Sequence, residues 1–304
     1  MNYSNELEQK TAETLAIVSS YLPKEEGLQK TVIEAMNYSF QAGGKRLRPL
    51  IMLETYRLFG GDKKVIEPFM AALEMIHNYS LVHDDLPEMD NDELRRGKPT
   101  THIAYGPGMA VLAGDGLLNY AYETALKSFH YAETEREKDA CIEAMKVLAG
   151  KAGIYGMVGG QTLDVEAEEK GLSLEEDQIM FINENKTAAL LQCAFLVGGI
   201  LGGATNEEKE TLEKIGFDLG VAFQLQDDLL DVESTTEELG KPVGSDERNG
   251  KRTYLALNGI PKTRAFQEEL SMEAAKLMKE MYLAHEAEEG FLTELIQNLV
   301  VRKK

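Results

Sequence analysis

Basic residues, cysteines and strand signals are all scarce in this sequence, and each scarcity narrows what the chain can be. Only 32 lysines and arginines stand against 52 aspartates and glutamates, a formal charge of −20 at pH 7. Such a field disfavours nucleic acid and anionic membrane surfaces as partners. An anionic substrate must then be held by local basic clusters or by metal ions, because the average field repels it. The two cysteines, Cys141 and Cys193, lie in helical-looking stretches without metal-ligand spacing, so they read as core thiols in a reducing compartment. The opening stretch MNYSNELEQKTAETLAIVSS has neither the basic head nor the apolar centre of a signal peptide, which points to the cytoplasm.

Period-2 alternation bounded by turn residues does not recur, whereas 3.6-period stretches follow one another from end to end, so the fold class is all-α. With 304 residues and 43% apolar composition the chain can bury a large core. Ser173-x-x-Glu176 and Thr205-x-x-Glu208 have the form of capping boxes and predict helices over 174–203 and 207–233. Further helices are predicted over 5–20, 25–42, 48–59, 64–90, 108–130, 137–168, 262–285 and 289–301. Gly60-Gly61, Gly97-Lys98-Pro99 and Gly106-Pro107-Gly108 punctuate them. No low-complexity linker intervenes, so residues 1–304 read as a single domain in which the polar stretch 234–252 is an active-site loop. The uncharged run from Thr187 to Asn206 is long enough to cross a bilayer, but a single such run, interrupted by Gln192 and closing on clustered glycines, reads as a buried core helix rather than a stable membrane insertion.

Two aspartate-rich patches stand out: Asp84-Asp85-Leu-Pro-Glu-Met-Asp90 and Asp227-Asp228-Leu-Leu-Asp231. Each lies at or near the C-terminal end of an apolar helix, where the helix dipole disfavours anions, so the carboxylates there are costly without a bound cation. Oxygen ligands in that number suit Mg²⁺, which commonly bridges carboxylates to substrate phosphates. At about 100° per residue, Asp227 and Asp231 fall about 40° apart on one helix face. Asp84 and Asp90 would diverge on a regular helix, and Pro87 predicts a break that loops out two residues and returns Asp90 to the side of Asp84. Counter-charges follow in Gly43-Gly44-Lys45-Arg46-Leu47-Arg48 and in Asp92-Glu93-Leu94-Arg95-Arg96-Gly97-Lys98, with arginine forks that match phosphate oxygens.

The strings GGKRLRP, HNYSLVHDDLPEMDNDELRRGKPT, GGQTLD, NKTAAL, FQLQDDLLD and GKPVGSDERNGKRTY resemble, in order, the motifs of short-chain trans-prenyl diphosphate synthases of the bacterial farnesyl diphosphate synthase type. The likeness runs through roughly residues 40–255. It implies a single-domain bundle of antiparallel helices around a deep cavity between the two aspartate-bearing helices, the isoprenoid synthase fold. It also implies a homodimer that joins isopentenyl diphosphate to an allylic diphosphate. Carried over residue by residue, it makes Asp84 and Asp90 ligands of two Mg²⁺ ions and Asp227 the ligand of a third, with Asp85, Asp228 and Asp231 supporting. Arg95, Lys186, Lys241 and Lys251 match contacts to the allylic diphosphate. Lys45, Arg48, His77 and Arg96 match the metal-free isopentenyl diphosphate site. Thr187 and Gln224, with the carbonyl of Lys186, match the oxygen dipoles that face the allylic cation, so Lys186, Thr187, Gln224 and Lys241 are the implied catalytic set. Gln161 and Asp164 match a string near the allylic site.

Tyr79 and Ser80, five and four residues before Asp84, are the implied determinants of product length. They lie about 7.5 and 6 Å below the first patch at 1.5 Å per residue, and an aromatic fifth position resembles the farnesyl type. Glu88 and Asn78 depart from the usual pattern without touching an implied ligand. Geranylgeranyl diphosphate synthesis and a non-catalytic subunit of a heteromeric synthase are the alternatives, the second opposed by two complete patches. A terpene cyclase resembles the chain at only one patch. An HD-type phosphohydrolase would need a histidine well upstream, and none of the five precedes His77. His102, His130 and His285 read as surface or core residues, and Arg302-Lys303-Lys304 as a frayed basic end.

Overall fold

Helices succeed one another in the computed structural model, which describes residues 3–233, 253–287 and 290–301. They are α1 (Tyr3–Ser19), α2 (Lys30–Gln41), α3 (Leu47–Leu58), α4 (Glu67–Asp84), α5 (Thr101–Tyr105), α6 (Pro107–Ala125), α7 (Glu135–Ala152), α8 (Met157–Lys170), α9 (Glu176–Ile182), α10 (Ala189–Gly202), α11 (Asn206–Glu233), α12 (Tyr254–Ala284) and α13 (Phe291–Val301). A π-helical segment, Asn183–Ala188, joins α9 to α10. Among the described residues the sole sheet is a hairpin of β1 (Leu94–Arg95) and β2 (Lys98–Pro99), in which Arg95 faces Lys98.

The all-α expectation therefore holds, and the boundaries that moved did so for local reasons. Gly27 takes φ +83°, and α2 begins only at Lys30. The predicted helix 137–168 is cut into α7 and α8 at Gly153–Gly156, where Gly156 leaves helical geometry at φ −142° and ψ −125°. The Thr205 box forms as expected: the Thr205 amide donates to Glu208 at 2.7 Å and the Glu208 amide to the Thr205 hydroxyl at 3.3 Å. The Ser173 box does not. Glu175 caps α9 instead, its side chain accepting from the Gln178 amide while its own amide donates to Gln178 at 3.0 Å. Leu174 and Ile179, flanking this cap at the positions of a hydrophobic staple, are both buried, which favours the later start. Downstream, α12 begins at Tyr254 rather than 262, capped by Thr253, and bends at Gly259, with φ +76°, just before Pro261.

By its contacts the described chain divides into two compact units, one of Met1–Leu53 with Asp62–Ile142 and one of Glu54–Gly61 with Glu143–Lys304. In the first, α4 is central and packs on α6 and α2, and every residue from Pro68 to Ile76 is buried, Glu74 included. In the second, α11 packs on α12 and α10. The uncharged run is indeed core here, with every residue from Ala189 to Ile200 buried. Glycine sets how near α11 comes: a Cβ at Gly216 would lie 2.5 Å from the Cα of Gln192, and one at Gly220 would lie 2.4 Å from the Cα of Ala188. Helix propensity favours alanine over glycine by about 1 kcal/mol, but these neighbours are backbone atoms that cannot rotate aside. Gly216→Ala is therefore expected to lower stability, by about 1–3 kcal/mol on the scale of core overpacking, read as a reduced urea midpoint at unchanged slope.

Candidate active site

In the first unit the loop after α2 turns through Gly43 at φ +105° and Gly44 at φ +130°, then through Arg46 at φ +50°. Arg46 is held in that conformation by burial: Nη1 donates to Glu74 Oε1 at 2.5 Å, Nη2 donates to the Phe40 carbonyl, and the guanidinium lies 4.3 Å over the Phe40 ring. Asn78 braces the acid from the next turn of α4, its amide donating to the Glu74 carbonyl at 2.7 Å. The hairpin turn Arg96-Gly97 has positive φ at both residues, +53° and +76°, as a two-residue type I′ turn requires. That turn directs Arg96 onto the loop, where Nη1 donates to the Gly43 carbonyl. A Cβ at Gly44 would stand 2.5 Å from the same nitrogen, so a side chain there would shift the Arg96 guanidinium, and the positive φ itself favours glycine.

This arrangement gathers cations in an acidic protein. Burial, and then Arg48, Arg96, Arg46 and Arg95, hold the His77 imidazole well below its ordinary value of 6.5, which makes it neutral at pH 7. Burial also depresses Arg48, which Arg96 lowers further, and Arg96, which Arg46 and Arg95 lower further. The Nε of Arg48 is buried without a hydrogen-bond partner among the described residues. Lys45 is exposed on the same loop. Three of the four residues expected to meet isopentenyl diphosphate, Arg48, His77 and Arg96, thus share one electrostatic environment. Arg46, expected only as one of the counter-charges, holds the loop in place with Glu74, and neither Glu74 nor Asn78 was expected to act here.

Asp84 ends α4, and the chain returns as Pro87 suggested. The Asp90 amide donates to the Asp84 carbonyl at 2.9 Å, while the Met89 and Asn91 amides both turn back to the Leu86 carbonyl at 2.9 and 3.0 Å. Asp85 is buried and bound by Arg95, whose Nε lies 2.8 and 2.9 Å from its two oxygens and whose Nη2 lies 2.6 Å from Oδ1. Burial works against both charges, yet the two-pronged pair keeps Arg95 above its ordinary value. Among the described residues no three metal-ligating side chains converge. Asp84, half-buried, and Asp90, exposed, fit Mg²⁺ in its usual form, held by one or two carboxylates and completed by phosphate oxygens and water.

In the second unit Gly160 lets α8 meet the π-helical segment: a Cβ there would lie 2.3 Å from the Lys186 amide nitrogen. One turn on, Asp164 accepts the Lys186 ammonium. Gln161 is half-buried beside Gly160. Thr187 donates to Gln224 Oε1 at 2.9 Å and Gln224 Nε2 donates to Asp228 Oδ1 at 2.9 Å, so the chain of bonds orients the amide and the hydroxyl together. Asp228 and Asp231 are buried and Asp227 is exposed, one helix carrying all three. Lys241 and Lys251 lie outside the described residues, as does the predicted loop 234–252.

The Polyprenyl synthetase family pattern matches residues 29–297. The chain belongs to the polyprenyl synthetase family. Among its relatives, the farnesyl diphosphate synthase of Geobacillus stearothermophilus is 47% identical over 251 residues, 82% of either chain. The heterodimeric geranylgeranyl pyrophosphate synthase large subunit 2 of Arabidopsis thaliana is 41% identical over 270 residues, 88% of this chain and 67% of the relative. A solved structure of geranyltransferase from Helicobacter pylori, complexed with magnesium and isoprenyl diphosphate, superposes with a TM-score of 0.79 at 28% identity, covering 99% of this chain and 97% of that one. This polyprenyl synthetase thus has the helical fold of solved prenyl-transferring enzymes.

Tyr79 is buried on α4, and Ser80 is half-buried with its hydroxyl donating to the His77 carbonyl at 2.9 Å. The depressed His77 makes a pH-dependent signature. The unfolded chain takes up the proton near 6.5 and the folded one only at lower pH, so this contribution to stability is full above that value and is lost on acidification. Titration by NMR is expected to show His77 still neutral at pH 6.5. Its replacement by Asn should flatten the fall in urea midpoint between about pH 7 and about pH 5.5.

Proposed function

We propose that this polyprenyl synthetase condenses isopentenyl diphosphate with dimethylallyl or geranyl diphosphate, forming farnesyl diphosphate and releasing diphosphate. The observation that carries this reading is the clustering of Arg46, Arg48, Arg95, Arg96 and a neutral His77 in a protein of charge −20 that also carries the patch Asp227–Asp231. One diphosphate can be met there by side chains alone, and the other by carboxylate-held cations. The enzyme uses magnesium, in keeping with the family and with the magnesium of the Helicobacter relative. Three ions per site, two on Asp84 and Asp90 and a third on Asp227, with Asp85, Asp228 and Asp231 supporting, is the finer assignment put forward. Bound Mg²⁺ supplies charge that stabilises a diphosphate leaving group.

The chain's own residues do the rest. Lys45, Arg48, His77 and Arg96 bind and orient isopentenyl diphosphate. Arg95, Lys186, Lys241 and Lys251 meet the allylic diphosphate, which Arg95 and Lys186 reach by exchanging Asp85 and Asp164 for phosphate oxygens. As the allylic C1–O bond breaks, Thr187, Gln224 and the Lys186 carbonyl turn oxygen dipoles toward the cation, preorganised by the Thr187–Gln224–Asp228 bonds. The terminal alkene carbon of isopentenyl diphosphate attacks C1, and a C2 proton passes to the departed diphosphate. Water must be kept from the cation, which it would quench.

Tyr79, buried five residues before Asp84, is read as the floor that stops growth at C15. Geranylgeranyl synthesis is the second reading, supported by the plant relative, and would require Tyr79 to admit another five carbons. The complete patches speak against a non-catalytic subunit. The reading takes residues 1–304 as a single domain that acts as a cytoplasmic homodimer.

Incubation with Mg²⁺, isopentenyl diphosphate and each allylic starter should give C15 as the main product by chromatography, and a main product of C20 would replace this reading with the second. Asp84→Ala and Asp227→Ala are each expected to slow turnover at least about a hundredfold, the scale of one lost charge-stabilising element. Near-normal rates in either variant, or in excess EDTA, would reject the metal-assisted mechanism. Steady-state kinetics should separate the two diphosphate sites: Lys45→Ala and Arg48→Ala raise KM for isopentenyl diphosphate, and Lys186→Ala lowers kcat. The reverse pattern would exchange the sites.

A further inference from the structure

His83 immediately precedes Asp84, yet the chemistry above gives it no task. Its ring is seated against α6 at Gly114, where a Cβ would stand 2.1 Å from Nε2 and 2.3 Å from Cδ2. Gly114 lies within regular helix and has no positive φ, so the site needs its missing side chain and not its conformational freedom. The His83 Nε2 lies 3.1 Å from the Val111 carbonyl, which accepts its proton and so fixes the ring's tautomer and orientation, and 3.9 Å from Asp115. One turn earlier on α4 is Tyr79, the side chain that His83 overlies by the four-residue stacking of helix positions. The two rings meet edge to face, with centroids 5.7 Å apart and planes at 85°. Tyr79 is 7% exposed, and burial, followed by Tyr122 and Asp84, raises its hydroxyl to about 12.

We infer that His83, seated on Gly114 and bonded to the Val111 carbonyl, positions the Tyr79 ring and so helps to set product length. The inference rests on the reading of Tyr79 as the floor of the growing chain. His83 is then a positioning residue that backs the ring the lengthening tail would meet. With the imidazole gone, or pushed off its seat by a methyl group at Gly114, the Tyr79 ring loses its fixed wall and can yield to a longer tail.

The test is the C20-to-C15 ratio formed from isopentenyl and geranyl diphosphates by wild type, Tyr79→Ala, His83→Ala, Gly114→Ala and the double variant Tyr79→Ala/His83→Ala, each melted to verify folding. His83→Ala and Gly114→Ala are expected to raise the ratio about fivefold, the scale of one lost aromatic pair. In the Tyr79→Ala background His83→Ala should add less than about a twofold change, because its effect passes through the missing ring. If Tyr79→Ala lengthens the product while His83→Ala leaves the ratio at the wild-type value, even with a slower rate, the inference is overturned and the floor reading stands. Full additivity in the double variant overturns it too. Should Tyr79→Ala itself leave the ratio unchanged, the floor reading fails and this inference with it. His83→Ala carries the test if Gly114→Ala does not fold.

Discussion

The buried ion pair of Arg46 and Glu74 is the constraint on which the arginine-bearing loop of the first unit depends. A carboxylate deep in an apolar helix face and a guanidinium in a left-handed turn would each be unfavourable alone. Together they pin the glycine loop to α4, at 2.5 Å, with the Phe40 carbonyl accepting from the other arm of the guanidinium. Removing one partner of such a pair strands the other and costs about 3–5 kcal/mol, far more than the pair contributes over an apolar substitute. Its value is geometric. With the loop fixed, Arg96 can close on Gly43, and His77, buried and then surrounded by positive charge, stays neutral.

A different device orders the second unit, where close backbone approach takes the place of buried charge. Gly160, Gly216 and Gly220 remove side chains where α8 and α11 meet the π-helical segment and α10. Lys186 and Thr187 are thereby presented by backbone that is itself immobilised, and the Thr187–Gln224–Asp228 bonds carry that order onto the aspartate-bearing helix. Arg95 sits on Asp85 and Lys186 on Asp164, so each unit holds one of its basic side chains against a carboxylate.

Much of this was legible in the sequence because it is written in period and spacing. Helical periodicity placed most elements, and the Thr205 box marked the start of α11 to within one residue. The six-residue interval with Pro87 inside it told that Asp90 must return to Asp84, as its amide does. What escaped was written elsewhere. Arg46 and Glu74 are 28 residues apart, and Glu74 occupies a face that otherwise reads as apolar, so nothing local announced the pair. Strands of two residues are shorter than any alternation can reveal, and the hairpin that aims Arg96 went unseen. The break at Gly153–Gly156 was overridden by apolar residues that kept helical spacing on both sides of it. The seat of His83 on Gly114 is a matter of which atoms are missing, and a sequence does not say what a glycine leaves room for.

The π-helical turn between α9 and α10 has one more consequence. A π turn holds one residue more than an α turn needs, so it acts as a phase shift: side chains before and after it follow two angular settings that a continuous α-helix could not reconcile. Each residue of an α-helix advances the setting by about 100°. Rewinding 183–188 as regular α-helix at unchanged length would therefore rotate α9 by roughly that angle against α10. Substitutions there change one side chain at a time, but such a rewinding would change the direction of every side chain on one side of it. The irregularity of the segment that carries Lys186 and Thr187 is thus what keeps the two helices in their separate registers.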